Sequence, residues 1–135
     1  MKSTKYFLVL TFLTLAFNAL PARSQEVNNC IEGAKKDPEP IAKLIALGRA
    51  KNVARQAAEA ANGGINKYRA DDAMQGPVAQ APCTDNADGT WTFTFEGTVP
   101  GEKTPSFVTA VTINSDTFEV RVDRNQDLRT TAEEM

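Results

Sequence analysis

Three segments in the second half of the chain alternate apolar and polar residues, as half-buried β-strands do. In residues 90–96 (TWTFTFE), aromatic residues alternate with Thr and Glu. The aromatic residues, predicted to face inward, are Trp91, Phe93 and Phe95. Residues 107–114 and 117–123 form two further segments of this kind, and polar loops join the three. Consecutive strands joined by short loops pair most simply as an antiparallel meander, so the pattern predicts a three-stranded sheet.

One long helix is predicted ahead of the strands, over residues 41–61. Residues 37–40 (DPEP) suit its start, because proline at the first helical position loses no hydrogen bond and acids favour the positive end of the helix dipole. Residues 41–61 contain no proline and are rich in good helix formers. Asn62, Gly63 and Gly64 then accept left-handed backbone angles, which end a helix.

Two faces of this helix are apolar. The first, at i, i+3, i+4 and i+7 spacing, consists of Ile41, Leu44, Ile45 and Gly48. The second consists of small residues, which are Val53, Ala54, Ala57, Ala58 and Ala61. Small side chains allow a sheet or helix to approach closely, so this second face is predicted to pack. Glycine inside a helix costs about 1 kcal/mol relative to alanine, which indicates close backbone contact at Gly48.

Residues 1–24 have the pattern of a secretory signal peptide. Lysines precede an apolar stretch over residues 6–20, and small residues occupy the −3 and −1 positions of a cut after Ser24. A membrane anchor would need about 20 consecutive apolar residues, and polar residues interrupt this shorter run. We therefore expect export, with one α+β domain over residues 25–123 and a charged tail over residues 124–135.

Removal of residues 1–24 changes the charge balance. It takes away three basic residues and leaves 12 bases against 17 acids, a net charge of −5. Such a chain is a poor general nucleic-acid binder, because neutralising phosphates requires clustered Lys and Arg. The mature chain is expected to contain no membrane span.

Cys30 and Cys83 are the two cysteines of the chain. An even number of cysteines in an oxidising compartment favours a disulfide. Closing a loop of about 54 residues is expected to add ~3–4 kcal/mol to the free energy of unfolding. A redox pair usually has Cys-x-x-Cys spacing, and two thiolates are too few for a zinc site, so a structural disulfide is predicted.

Basic residues are concentrated around the helix. Residues 34–70 hold eight bases and three acids, whereas residues 71–135 hold four bases and twelve acids. Ordinary solvated surfaces explain this asymmetry, and the alternative is a surface that steers a charged partner. Lys51 and Arg55 lie one helical turn apart and away from the small-residue face, which makes them candidate contact residues for an acidic partner. For Arg55 the structural alternative is an i, i+4 pair with Glu59.

The end of the chain contains part of a calcium-loop pattern. Asp123, Asn125, Asp127 and Glu134 fall at positions 1, 3, 5 and 12. Leu128 stands at position 6, where the loop requires glycine, and the segment follows a strand instead of a helix. Acidic residues are frequent in this region, so a solvated acidic tail is favoured over a metal site.

The chain contains no histidine, which removes the commonest general base and metal ligand. Carboxylate chemistry remains, but the adjacent Asp71 and Asp72 point to opposite sides of an extended segment, and Glu96 and Glu119 lie on outward strand faces. We therefore predict that the protein is not an enzyme and that it needs no cofactor.

Several segments resemble small exported α+β proteins of cyanobacteria, and they are residues 50–59 (AKNVARQAAE), 62–64 (NGG), 67–70 (KYRA), 76–77 (GP) and 88–93 (DGTWTF). The resemblance covers most of the mature chain and implies a periplasmic or thylakoid-lumen setting, with an extracellular location as the other destination of an exported chain. It implies no chemistry. A helix followed by a meander also looks like a cystatin-type fold, but residues 75–79 (QGPVA) do not match the Gln-x-Val-x-Gly inhibitory loop of cystatins.

These observations predict a secreted, non-enzymatic domain that acts by contact with an unknown protein partner or as an accessory factor. The alternative is a carrier that holds a small molecule or lipid between the helix and the sheet. Its cavity would be lined by Trp91, Phe93 and Phe95, although aromatic residues at strand spacing more often form a core.

Overall fold

The computed structural model describes residues 28–133 and has an α+β fold with an antiparallel sheet. Its elements, in chain order, are α1 (Asn29–Lys35), α2 (Pro40–Ala61), β1 (Arg69–Ala70), two 3₁₀ turns (Asp72–Met74 and Val78–Gln80), β2 (Cys83–Asp85), β3 (Thr90–Thr98), β4 (Phe107–Asn114), β5 (Val120–Asp127) and α3 (Leu128–Glu133). The predicted signal peptide and Glu134 lie outside the described residues.

The long helix α2 begins and ends close to the predicted positions. Pro40 is its first residue, and Asn62 closes it by donating both its backbone N–H and its side-chain amide to Ala58 O. Gly63 and Gly64 follow with φ angles of 95° and 94°, a conformation that glycine adopts without strain.

The predicted meander forms most of the sheet but is not the whole of it. β3, β4 and β5 pair as consecutive antiparallel neighbours. The other edge of β3 pairs with two short strands, with Arg69 of β1 opposite Thr98 and Cys83 of β2 opposite Phe93. The sheet therefore has five strands among the described residues. The two additional strands are two and three residues long, too short for an alternating pattern.

The third predicted strand is displaced along the chain. It begins at Val120 because residues 115–118 form the β4–β5 turn, in which the Phe118 N–H donates to Asn114 O. It continues to Asp127, so the prediction that a charged tail starts at residue 124 is wrong. Backbone pairing holds residues 124–127 to β4 although their side chains are polar.

A β-bulge interrupts the pairing of β4 with β5. Val111 lies opposite Val122 and Ala110 lies opposite Arg124, which leaves Asp123 as the extra residue. Because side chains alternate between the faces of a sheet, this extra residue changes the face on which the following side chains lie.

The core lies between α2 and the sheet. Trp91, Phe93 and Phe95 are all buried there. Most of the small-residue face of α2 packs there as predicted, with Ala54 and Ala58 buried and Val53 and Ala57 partly buried, whereas Ala61 at the end of the helix is exposed. The first apolar face does not, because Ile41 and Ile45 are 74% and 69% exposed.

The predicted disulfide between Cys30 and Cys83 is confirmed. It joins α1 to β2, and both cysteines are buried. Two asparagines support the same junction, since Asn28 Nδ2 donates to Val78 O at 2.7 Å and Asn29 Oδ1 accepts from the Asp85 N–H at 2.8 Å. The long connection before β3 is therefore fastened to α1 and the residue that precedes it at several points. No helix within residues 28–133 is long and apolar enough to cross a membrane.

Candidate functional site

Lys51, a predicted contact residue, lies inside the protein. Its side chain is 6% exposed, and its ammonium donates to the backbone oxygen of Gly76 between the two 3₁₀ turns. Burial, and secondarily the charge of Arg55, hold the pKa of Lys51 below its ordinary value. The prediction that Lys51 lies on an exposed face is therefore wrong. The Lys51 ammonium ties α2 to the connection that precedes β2.

Arg55 is half-buried and forms the i, i+4 pair that the sequence offered as its structural explanation. Its Nη1 lies 2.9 Å from Glu59 Oε1. The Nε atom of Arg55 is buried and has no hydrogen-bond partner among the described residues. The expected basic contact face of Lys51 and Arg55 is thus largely withdrawn from the surface.

The candidate calcium ligands do not converge. The bulge places Asp123 beside Thr112 on the outer face of the sheet, where it accepts from the Thr112 hydroxyl and from Arg121 Nε at 2.5 Å. Asn125 lies on the opposite face and accepts from Thr109 Oγ1 at 2.8 Å. A calcium site needs its oxygen ligands around one point.

The remaining candidate ligand that the structure describes is also engaged. Asp127 accepts from the guanidinium of Arg129 at 2.7 Å, and this hydrogen bond is the main reason that the pKa of Asp127 is lowered. Within residues 28–133, no three acidic or cysteine side chains are grouped to hold a metal ion.

Asn125 instead belongs to a polar junction at the end of α2. Its amide and that of Asn62 exchange two hydrogen bonds, of 3.1 and 2.9 Å. Together with the Thr109 contact, this pair fastens the C-terminal end of α2 to β4 and β5. The Asn125 side chain therefore serves the fold.

Tyr68 is the second buried polar residue of interest, and nothing in the sequence singled it out. Its side chain is 1% exposed, and its ring lies on Gly97 and meets Phe107 edge-on at 5.3 Å. The hydroxyl makes no hydrogen bond of regular geometry among the described residues, and Thr109, whose own proton goes to Asn125, is the polar neighbour whose oxygen faces it. Burial, the largest cause, raises the pKa of Tyr68 to about 12.

The raised pKa of Tyr68 predicts a loss of stability at alkaline pH. The unfolded chain releases the phenol proton near its ordinary pKa, whereas the folded protein retains it to about 12. As the pH rises from the ordinary pKa of tyrosine to the pKa of the folded protein, the free energy of unfolding should therefore decrease. The slope should approach about 1.4 kcal/mol per pH unit. Urea unfolding followed at several alkaline pH values measures this slope.

Tyr68→Phe is the matched control, because it keeps the ring and removes the titrating group. At neutral pH it should change the free energy of unfolding by less than about 1 kcal/mol, since the hydroxyl makes no hydrogen bond of regular geometry and has only Thr109 as a polar neighbour. Lys51 has a lowered pKa and contributes with the opposite sign, so the difference between the two proteins isolates Tyr68. Equal alkaline slopes for both proteins would contradict the assignment.

An apolar surface remains open beside the edge strand. Val120 and Val122 lie opposite the buried residues Ile113 and Val111, on the face that carries the core. They are nevertheless 41% and 43% exposed. Phe118 precedes them in the turn and is partly buried against the core. We call Phe118, Val120 and Val122 the β5 patch.

The backbone of Phe118 is strained. Its φ angle is 60°, which is rare for a bulky residue and costs on the order of 1–2 kcal/mol. Glycine would adopt the same turn without this cost. What phenylalanine adds is its ring, which lies 4.0 Å beneath the guanidinium carbon of Arg49 on α2. Strain of this kind is retained where a side chain must be held in one place.

No family model, curated protein or solved structure matches this chain. Its function must therefore be inferred from its own surfaces and side chains.

The free edge of β5 is protected against the addition of another strand. Four charged residues lie along it, which are Arg121, Asp123, Arg124 and Asp127, and the bulge disturbs its regular pairing. Charges and bulges on an edge strand discourage pairing with a further chain. The β5 patch therefore offers its side chains, and not its backbone, to a binding partner.

The aromatic residues predicted to line a ligand cavity form part of the packed core. Trp91, Phe93 and Phe95 contact the same buried cluster as α2. Trp91 also has a charged neighbour, since Lys43 Nζ lies 5.3 Å from the centre of its ring. Their burial is the arrangement that the strand pattern favoured over a binding role.

Proposed function

We propose that the protein is an exported, non-enzymatic domain that acts by binding another protein through the β5 patch. The observation that carries this proposal is the strained Phe118, held beside two valines that stay exposed on the core-bearing face of the sheet. A monomer gains nothing from exposing these valines, because each would be more stable if covered.

The composition of this surface suits protein contact. Interfaces place apolar and aromatic side chains at their centre and often use arginine as an anchor. The β5 patch supplies the apolar centre, and the guanidinium of Arg49, stacked on Phe118, stands at its border. A stacked guanidinium keeps hydrogen-bond donors at its edge for an acceptor on the partner.

The setting is part of the proposal. The signal-peptide pattern indicates export to an oxidising compartment, and the disulfide of the fold is compatible with that environment. In the periplasm, the thylakoid lumen or the extracellular space, a disulfide-bonded domain with an open apolar patch would work as an accessory factor for a larger protein.

Affinity capture from the exported fraction tests the proposed contact. Wild-type protein used as bait should retain one partner in stoichiometric amount. Val122→Glu should lower this retention at least about tenfold, because a charge in an apolar contact costs more than 1.4 kcal/mol. The fold should remain, since Val122 is already half-exposed.

Ile65→Glu is the matched control, because Ile65 is a similarly apolar residue that is 71% exposed outside the patch. It should retain the partner as wild type does. Equal capture by wild type and Val122→Glu would contradict the proposal. A small molecule or lipid bound one to one, detected by native mass spectrometry without a protein partner, would support the carrier function in its place.

A further inference from the structure

We infer that two copies of this chain associate through the outward face of α2, with Ile41, Ile45 and Gly48 as the contact. We call these three residues the α2 stripe. Ile41 and Ile45 are 74% and 69% exposed, and they are among the few large apolar side chains that the described surface leaves open. The α2 stripe shares no residue with the β5 patch, although Arg49 lies at the border of both, and the contact between copies does not depend on the proposed function.

Gly48 supplies the decisive observation. Glycine is the least favourable residue in a helix interior apart from proline. A Cβ atom placed on Gly48 would meet no atom within 4 Å, so no packing inside the described chain accounts for glycine here. By contrast, Gly97 is required by the Tyr68 ring, and Gly63 by its left-handed backbone. The space above Gly48 is therefore available to a side chain from outside.

The spacing of the α2 stripe fits a second copy of the same helix. Ile41, Ile45 and Gly48 follow one another at i, i+4 and i+7 along one line of the helix surface. If two α2 helices cross antiparallel with a twofold axis between Leu44 and Ile45, the two Ile45 side chains meet beside the axis. Ile41 of one copy then lies over the partner's Gly48, where the missing side chain leaves room.

The charges at the ends of the contact agree with the same arrangement. Glu39 immediately precedes α2, and Arg49 lies one turn beyond Ile45; both are exposed. In the antiparallel register, Glu39 of one copy lies opposite position 50 of the other, next to Arg49, whose stacked guanidinium keeps N–H donors at its edge for this carboxylate. The opposed helix dipoles add to this preference. A single element thus carries complementary shape and complementary charge, as a twofold contact requires.

The contact is small and should be weak. One helix face with two isoleucines lies below the area of a standard stable interface, so the dimer should form in the micromolar to millimolar range. Sedimentation equilibrium of the purified protein, expressed from the full chain, should show a reversible monomer–dimer equilibrium at concentrations up to about 1 mM.

Two variants test the contact from opposite directions. Ile45→Glu places like charges together at the twofold axis and should weaken association at least about tenfold. Gly48→Leu should weaken it similarly by filling the space for Ile41, yet it should raise the melting temperature of the monomer because leucine favours the helix. A loss of association in Gly48→Leu therefore cannot come from unfolding.

Ile65→Glu is again the control and should associate as wild type does, and so should Val122→Glu of the β5 patch. A protein that stays monomeric throughout the concentration range would overturn the inference. Association that is unchanged in Ile45→Glu and Gly48→Leu would overturn it as well, since the copies would then meet elsewhere. Partner capture by Ile45→Glu should be unaffected, which separates this result from that of the proposed function.

Discussion

The double variant Cys30→Ala/Cys83→Ala is expected to lose about 3–4 kcal/mol of unfolding free energy. The disulfide closes a loop that contains α2, β1 and both 3₁₀ turns, so its removal releases a long segment in the unfolded chain. It also removes the covalent link between α1 and β2, where Asn29 still accepts from the Asp85 N–H and Asn28 still donates to Val78 O in the second 3₁₀ turn. Urea unfolding of the oxidised wild type and the variant measures the difference.

Reduced and alkylated wild-type protein is the companion measurement, because it breaks the same bond without changing the sequence. Thiol titration of the untreated protein under denaturing, non-reducing conditions should find no free sulfhydryl. Two titratable thiols per chain, or equal urea midpoints for wild type and the double variant, would contradict the structural role of the disulfide.

Gly97→Ala is expected to cost about 3 kcal/mol, toward the upper end of the range for overpacked sites. A Cβ atom on Gly97 would lie 2.5 Å from Cζ and 2.6 Å from the hydroxyl oxygen of Tyr68. The ring cannot turn away, because Tyr68 is fully buried and packs against Phe107. β3 would have to move away from the ring, which disturbs its pairing with β1 and β4.

Gly48→Ala is the matched control for this prediction. It introduces the same methyl group where nothing lies within 4 Å, and it should raise the free energy of unfolding by about 0.5–1 kcal/mol. Truncating the ring in Tyr68→Leu should make the added Gly97→Ala substitution less costly. If the two glycine substitutions had equal effects, the close packing of Tyr68 on Gly97 would be refuted.

The sequence predicts the elements that carry strong local signals. Residues 37–64 contain proline, helix formers and paired glycines in the right order, so α2 is predicted almost to the residue. The aromatic alternation identifies β3 in the same way. β1 and β2 are too short for any periodicity, and the charged half of β5 is held by backbone pairing, which leaves no trace in side-chain pattern.

The functional surface is harder to predict, because it depends on how α2 is oriented on the sheet. The burial of two α2 residues is the reverse of what their side chains suggest, since the charged Lys51 is buried and the apolar Ile45 is exposed. The β5 patch consists of valines that the alternation assigns to the core, and only the tertiary structure shows that they stay partly open. Its one local signal is a phenylalanine in a hairpin turn position that favours glycine.

Site-specific photo-crosslinking tests the proposed contact most directly. A photoreactive amino acid is placed at position 120 in the β5 patch or, as control, at position 94 on the outer face of the sheet, and each protein is irradiated in the exported fraction. We expect one protein partner to be crosslinked from position 120 and not from position 94. Crosslinking from position 94 alone, equal crosslinking from both, or no protein partner from position 120 would contradict a contact function of the β5 patch.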